Sequence, residues 1–337
     1  MLNTPIKVGS LTLKTRLIMP PMATEKSAGG EVTDALVGYY DRMSRGGYLG
    51  LIIQEHSFVS PEGQASPNQV SIADDACIEP LSRIVDAVHR NGVPIIAQIN
   101  HAGNAAKTAI TGLEAISASS VPASKRFSAG AEVPLPRPMT QADIDRVAAC
   151  YVAAAERAKK AGYDGVEVHS AHGYLLDQFY SPLSNRRTDA YTGSTLEGRT
   201  KLQAEIVRAI RERLGPDFLI SLRLGASDYT EGGAELSEVP EAARIFVGAG
   251  VDMLSVTGGM CGYFRPGHDE QGYFAELSEA MKSAVGIPVL LTGGITEKDA
   301  AERLLECGAA DMIGVGRAFL KDHDLPEKWI GGAEAVT

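Results

Sequence analysis

Positive charge is what this 337-residue chain lacks first: 32 Lys and Arg stand against 42 Asp and Glu, a formal charge of −10. A phosphate-backbone partner needs a clustered basic surface, and none is visible, so nucleic acid is disfavoured. The acidity itself bears mainly on solubility. Cysteine is scarce and scattered, at Cys77, Cys150, Cys261 and Cys307, with no Cys-x-x-Cys spacing. That fits reduced thiols in a cytosol better than a disulfide framework or a metal cluster. No apolar run approaches membrane-spanning length. The amino terminus, Met1-Leu2-Asn3-Thr4-Pro5-Ile6-Lys7, lacks the charged-then-hydrophobic order of a secretory signal. A cytoplasmic protein without a membrane partner is the expectation. Low-complexity tracts, the Walker pattern and the six-position Rossmann fingerprint are absent too.

What is present is a period. Eight short runs of Val, Ile, Leu and Met recur at Arg16–Met22, Leu49–Ile53, Pro94–Ile99, Tyr163–Val168, Phe218–Leu224, Val251–Val256, Ile287–Leu291 and Asp311–Val315. Continuous apolar runs indicate strands buried on both faces of a parallel sheet. Between them lie amphipathic segments such as Pro80–Asn91, Gln141–Ala161, Thr195–Leu214, Ser237–Ala249 and Glu297–Cys307. Several stop at glycine (Gly92, Gly162, Gly215, Gly250, Gly308), as carboxyl-capped helices do. Eight strand–helix units predict one (β/α)8 TIM barrel over residues 1–337, with an open doubly wound sheet as runner-up. Three linkers, Asn100–Thr140, Gly225–Leu236 and Thr257–Phe274, are too long for turns. All follow carboxyl strand ends, so they elaborate the catalytic face and could form a lid.

The stretch Gly165-Val166-Glu167-Val168-His169-Ser170-Ala171-His172-Gly173-Tyr174 ends the fourth strand in two histidines, three residues apart, beside a tyrosine. Carboxyl strand ends are where such a protein keeps its site, and two imidazoles at that spacing can aim at one point. Structural histidines and a metal site are the alternatives, although zinc wants three or four ligands. The first strand leads into Met19-Pro20-Pro21-Met22-Ala23-Thr24, extended backbone with few free amides that suits a flat apolar object. Gln54-Glu55-His56 closes the second as a polar cluster that reads as loop. Gln98 could read the edge of a heterocycle or satisfy backbone. Arg223, charged inside an apolar strand, needs either an internal carboxylate or an anionic ligand. The last two strands run into Thr292-Gly293-Gly294-Ile295 and Gly314-Val315-Gly316-Arg317. Glycine turns opening onto helices present free N–H groups to a phosphate, to which Arg317 adds a charged donor.

Taken together these residues resemble the old yellow enzyme family of FMN-dependent ene-reductases, especially the bacterial branch near the flavin barrel of 2,4-dienoyl-CoA reductase. The most specific stretch runs from His169 through Tyr174, Asn185, Arg186 and Asp189 to Tyr191, and the likeness covers essentially the whole chain. It implies non-covalent FMN, with NADH or NADPH as hydride donor and a small activated alkene as acceptor. Pro21, Met22 and Ala23 would line the isoalloxazine ring, Gln98 its pyrimidine edge and Arg223 its N1–O2 locus. Gly293, Gly294, Gly316 and Arg317 would bind the phosphate. His169 and His172 would donate to the substrate's carbonyl or nitro oxygen, and Tyr174 would give the proton. Relatives form dimers and tetramers, so a homo-oligomer is expected by analogy.

Three departures stand out. Ala23 replaces the Thr or Cys of many relatives. His56, on the flavin's O4 side, replaces a small residue. Thr192-Gly193-Ser194-Thr195-Leu196-Glu197-Gly198-Arg199 replaces the usual Gly-Gly-Ser-x-x-Asn-Arg. Because the chain ends soon after Trp329, the iron–sulfur cluster and second flavin domain of larger dienoyl-CoA reductases are expected to be absent. The rival readings are a dienoyl-CoA reductase-like or dihydrouridine synthase-like FMN barrel, a metal-dependent hydrolase, and a non-catalytic flavin-binding protein. A dihydrouridine synthase should be basic and carry a catalytic cysteine.

Overall fold

The structure, a computed structural model, describes residues 1–124, 127 and 134–334. A two-stranded hairpin, β1 (Ile6–Val8) and β2 (Leu11–Leu13), precedes the first barrel strand, β3 (Leu17–Met19). The others are β4 (Leu51–Phe58), β5 (Ile95–Asn100), β8 (Gly165–Ser170), β9 (Leu219–Ser227), β10 (Met253–Gly258), β11 (Val289–Leu291) and β12 (Met312–Gly314). A small parallel pair, β6 (Ile116–Ser117) and β7 (Arg137–Pro138), lies within the long linker after β5. Each barrel strand pairs in parallel with its successor, and β12 pairs back onto β3. All eight predicted strands are therefore present, and the sheet closes rather than staying open. Two run further than the apolar pattern indicates: β4 continues through Gln54-Glu55-His56 to Phe58, so that cluster is strand and not loop, and β9 reaches Ser227.

The five anticipated helices appear at Ile78–His89, Gln141–Lys160, Leu196–Leu214, Val239–Ala249 and Lys298–Glu306. Sequence explains their ends. Thr140 and Asp143 form a reciprocal capping box at the start of Gln141–Lys160, a cap worth about 1 kcal/mol. The five expected stop glycines all adopt positive φ, between 72° and 112°, where only glycine avoids a Cβ penalty. Helices Asp34–Ser44 and Ala275–Ala284 and the short Arg317–Lys321 after β12 complete the outer layer. Among the described residues no helix is long and apolar enough to cross a membrane.

Alternation along the strands divides the barrel interior into two storeys. Ile18, Leu51, Ile53, Ile96, Leu219, Met253, Leu290 and Met312 form an apolar cluster at the amino end, joined by Val8 and Leu13 of the hairpin. On β8 the place in that layer falls to Gly165, where a Cβ would run into Leu219. Two residues further along the same strands come Gln98, Glu167, Ser221 and Ser255, then His169, Arg223 and Thr257, all buried. The upper storey is polar, which is unaffordable in a core unless something there uses it.

Candidate active site

The turn after β8 takes a conformation that most residues avoid. His172 (φ 62°) and Gly173 (φ 70°) are both left-handed, at a cost of order 1 kcal/mol for the histidine. Two buried residues of the following helix, Leu175–Tyr180, hold it there. The Gly173 N–H donates to Asp177 Oδ2 at 2.6 Å, and Gln178 Nε2 lies 2.7 Å from Gly173 O and 3.0 Å from Ala102 O. Gln178 Oε1 accepts from the Asn104 N–H at 3.0 Å and the Ser117 hydroxyl at 2.8 Å. One amide thus ties the histidine turn to the linker after β5. Both side chains lie inside the family-like stretch, but no spacing rule assigned them a task.

The result is a compact ring cluster. His169 and His172 have centroids 5.0 Å apart at 81°, and Tyr174 lies 5.4 Å from His169. The two imidazoles converge as their spacing predicts. His172 Nε2 is 2.9 Å from Thr257 Oγ1 on β10, a contact the sequence did not announce. His56 joins the group, its ring 5.5 Å from Tyr174 and 6.4 Å from His169. Phe127, from the linker after β5, packs 5.4 Å from Tyr174, and Tyr263, from the linker after β10, 6.0 Å from His172. Two of the three long linkers therefore overhang the cluster; residues 125–126 and 128–133 of the first lie outside the described residues.

Beneath the rings, Gln98 Nε2 donates to Glu167 Oε1 at 2.8 Å and Ser221 Oγ to Glu167 Oε2 at 2.9 Å. Gln98 thus serves a side chain rather than backbone, and its Oε1 is turned away from Glu167. Burial raises the pKa of Glu167, with the Arg223 charge opposing; burial lowers that of Arg223, with Glu167 opposing. The internal carboxylate exists, yet it makes no hydrogen bond to the guanidinium, and Arg223 Nε is buried without a partner among the described residues. An orphaned buried donor costs about 1–3 kcal/mol, so the interior is complete only when an acceptor from outside the chain sits against it. An electron-rich heterocycle edge fits that demand.

The segment after β3 runs along the rim. Thr24 donates to Glu55 through its N–H (3.1 Å) and hydroxyl (2.7 Å), which ties the far end of the Pro21-Met22-Ala23 segment to β4. A Cβ on Gly316 would stand 3.2 Å from Met22 Sδ. In the turn after β11, Gly293 (φ 128°) and Gly294 (φ 68°) are left-handed, and a Cβ on Gly294 would meet the Tyr273 ring at 2.6 Å. Neither amide donates to another main-chain group among the described residues. Ahead of helix Lys298–Glu306, Gln271 Oε1 accepts from the Thr296 and Glu297 amides. Arg317 donates to Tyr273 Oη at 3.2 Å and lies 4.6 Å from the centre of the Phe264 ring. Tyr273 thereby joins the two turns expected to share a phosphate.

Among the described residues no group of three His, Cys, Asp or Glu side chains could hold a metal ion. A closed parallel barrel with converging imidazoles beside a buried, under-bonded arginine, and glycine turns on its last two strands, has the build of a flavin-dependent oxidoreductase. The chain belongs to the NADH:flavin oxidoreductase / NADH oxidase family, whose profile matches residues 1–334. It is 39% identical to an NADH oxidase of Thermoanaerobacter brockii over 96% of this chain and 49% of that protein. It is 34% identical to an NADPH dehydrogenase of Clostridium acetobutylicum over 94% of this chain and 90% of the relative. An old yellow enzyme homologue from Zymomonas mobilis superposes with a TM-score of 0.85 at 27% identity, covering all of this chain and 94% of that one. The chain thus spans about half the length of the first relative and most of the other two. The resemblance read from the sequence holds: the chain is a barrel of this flavin oxidoreductase family, superposing on an old yellow enzyme homologue.

Proposed function

We propose that residues 1–337 form one FMN-binding barrel that reduces activated alkenes, α,β-unsaturated carbonyl or nitro compounds, with NADH or NADPH. Bound FMN supplies the hydride, taken from nicotinamide, that reaches the β-carbon. Pro21, Met22 and Ala23 line one face of the ring system, Gln98 offers Oε1 to its pyrimidine edge, and Arg223 faces the side where reduction accumulates negative charge. Gly293, Gly294, Gly316 and Arg317 hold the phosphate. His169 and His172 donate hydrogen bonds to the substrate oxygen, and Tyr174 delivers the proton to the α-carbon. We also read the protein as a cytoplasmic homo-oligomer, dimer or tetramer, without nucleic-acid partners.

The observation that carries this reading is the convergence of the His169 and His172 rings at 5.0 Å, beside a buried arginine whose Nε lacks an acceptor among the described residues. As hydride arrives, charge moves onto the substrate oxygen, so donors fixed there stabilise the transition state more than the ground state. Losing one such donor costs about 2.7–4 kcal/mol, roughly 10²–10³ in rate. Water replaces a mobile proton donor more easily than a fixed pair of imidazoles, so the histidines outweigh Tyr174. The test is the visible spectrum of the purified protein under nitrogen, which should be yellow and bleach with NADH or NADPH. His169→Ala should keep its FMN and lose enone turnover by roughly the factor above; unchanged turnover removes the residue from the mechanism.

A further inference from the structure

His56 breaks the parity of its own strand. Leu51 and Ile53 face the apolar storey inside the barrel, so strict alternation would turn Glu55 inward and His56 outward. The β4–β5 register slips between Gln54 and Ser57, with Gln54 opposite Ala97 and Ser57 opposite Ile99. This one-residue bulge re-aims the side chains, as bulges beside active sites do. Glu55 meets the Tyr40 hydroxyl of the outer helix Asp34–Ser44 at 3.2 Å. His56 enters the ring cluster instead.

Its protonation is dictated by neighbours. The Ala65 N–H donates to Gln69 Oε1 at 2.6 Å, so it is the amide nitrogen of Gln69 that stands 2.7 Å from His56 Nδ1. The Asn100 amide nitrogen approaches the same atom at 3.4 Å. Nδ1 is therefore an acceptor, and the proton of the neutral ring sits on Nε2. The ring keeps some exposed surface, yet burial first and the Arg223 charge second pull its pKa down to about 4. Titratable and charged groups facing it are His169, Tyr174 and Arg223. No described residue accepts from Nε2.

A carbonyl oxygen has two lone pairs, and His169 and His172 suffice for them. A third donor, on a ring 6.4 Å from His169, suits a second oxygen set apart from the first. We infer that His56 is a specificity-determining donor that reads a second carbonyl of the substrate, so that the pocket prefers a C=C flanked by two carbonyls to a simple enone. Gln69 is its positioning residue. This rests on the reading under Proposed function.

The experiment compares kcat/KM for ketoisophorone, an ene-dione, with that for cyclohexenone, on flavin-loaded wild type, His56→Phe, His56→Gln and Gln69→Leu. In parallel, flavin difference spectra give dissociation constants for succinimide and pyrrolidinone, inert rings with two carbonyls and one. The dione-to-enone ratio and the succinimide preference should each fall about tenfold in His56→Phe. Both should recover in His56→Gln, whose amide also donates, and weaken in Gln69→Leu. Ring-nitrogen NMR should find His56 protonated at Nε2. A proton on Nδ1 overturns the assignment, and so does a ratio that ignores His56. A shifted flavin midpoint potential with an unchanged ratio overturns it too, by moving the donor to the cofactor. A wild type that takes up no flavin brings down the proposed function with it, whereas one that reduces cyclohexenone while the ratio ignores His56 sinks this assignment alone.

Discussion

The hydroxyl of Thr257 lies 2.9 Å from Nε2 of His172, so the end of β10 steadies a ring that the chain delivers from the turn after β8. The contact commits the Nε2 nitrogen of the imidazole to Thr257. Removing the hydroxyl frees the ring to rotate and to change tautomer. Thr257→Val should lower kcat/KM for an enone about three- to tenfold, near the worth of one neutral hydrogen bond, with the fold and FMN content intact. Steady-state kinetics beside a flavin absorbance spectrum check this; undiminished kcat/KM would mean that the turn alone holds His172.

Gly103 (φ 63°) packs directly against the Gln178 side chain, which a Cβ there would strike. Gly103→Ala should therefore cost stability and activity together, because the same amide supports the histidine turn. A loss of about 1–3 kcal/mol is expected from the strained φ and displaced hydrogen bonds. Denaturant unfolding read beside turnover decides the matter: a drop in stability with full turnover would show that Gln178 does not support the turn.

Arg317 stands beside Tyr273, which also walls the Gly293–Gly294 turn. If a phosphate sits between them, Arg317→Ala should weaken FMN binding to the apoprotein about ten- to hundredfold, as loss of a charged hydrogen bond does. Flavin fluorescence titration measures it, and a fully loaded variant would place the phosphate elsewhere.

Histidine burial also sets an acid limb. The folded pKa of His56, about 4, lies below the usual histidine value near 6.5. Between those values the unfolded chain binds more protons, so stability falls as pH drops from about 6.5 towards 4. His56→Gln should flatten that stretch of a stability-versus-pH curve, by at most about 3 kcal/mol given the residual exposure of the ring. Parallel curves for the two proteins would show that other groups set the limb.

Legibility divided along physical lines. The barrel could be read because strands buried on both faces leave continuous apolar runs, and stop glycines mark helix ends whatever the tertiary setting. His169, His172 and Tyr174 could be read because one short turn brings them together. Thr257, Asp177 and Gln178 could not, since their importance comes from what folding places beside them. His56 was legible as a departure from its relatives, but its inward aim comes from a bulge that no period-two pattern contains. The hairpin Ile6–Val8 and Leu11–Leu13 is not legible, because three-residue strands carry too little signal.

That hairpin has a kinetic consequence. Val8 and Leu13 join the apolar layer at the amino end, which stoppers the barrel there like a cork. On the proposed function, reductant and acceptor would both enter at the opposite end and queue for the same threshold. A large excess of either should slow turnover by blocking the entrance to its counterpart.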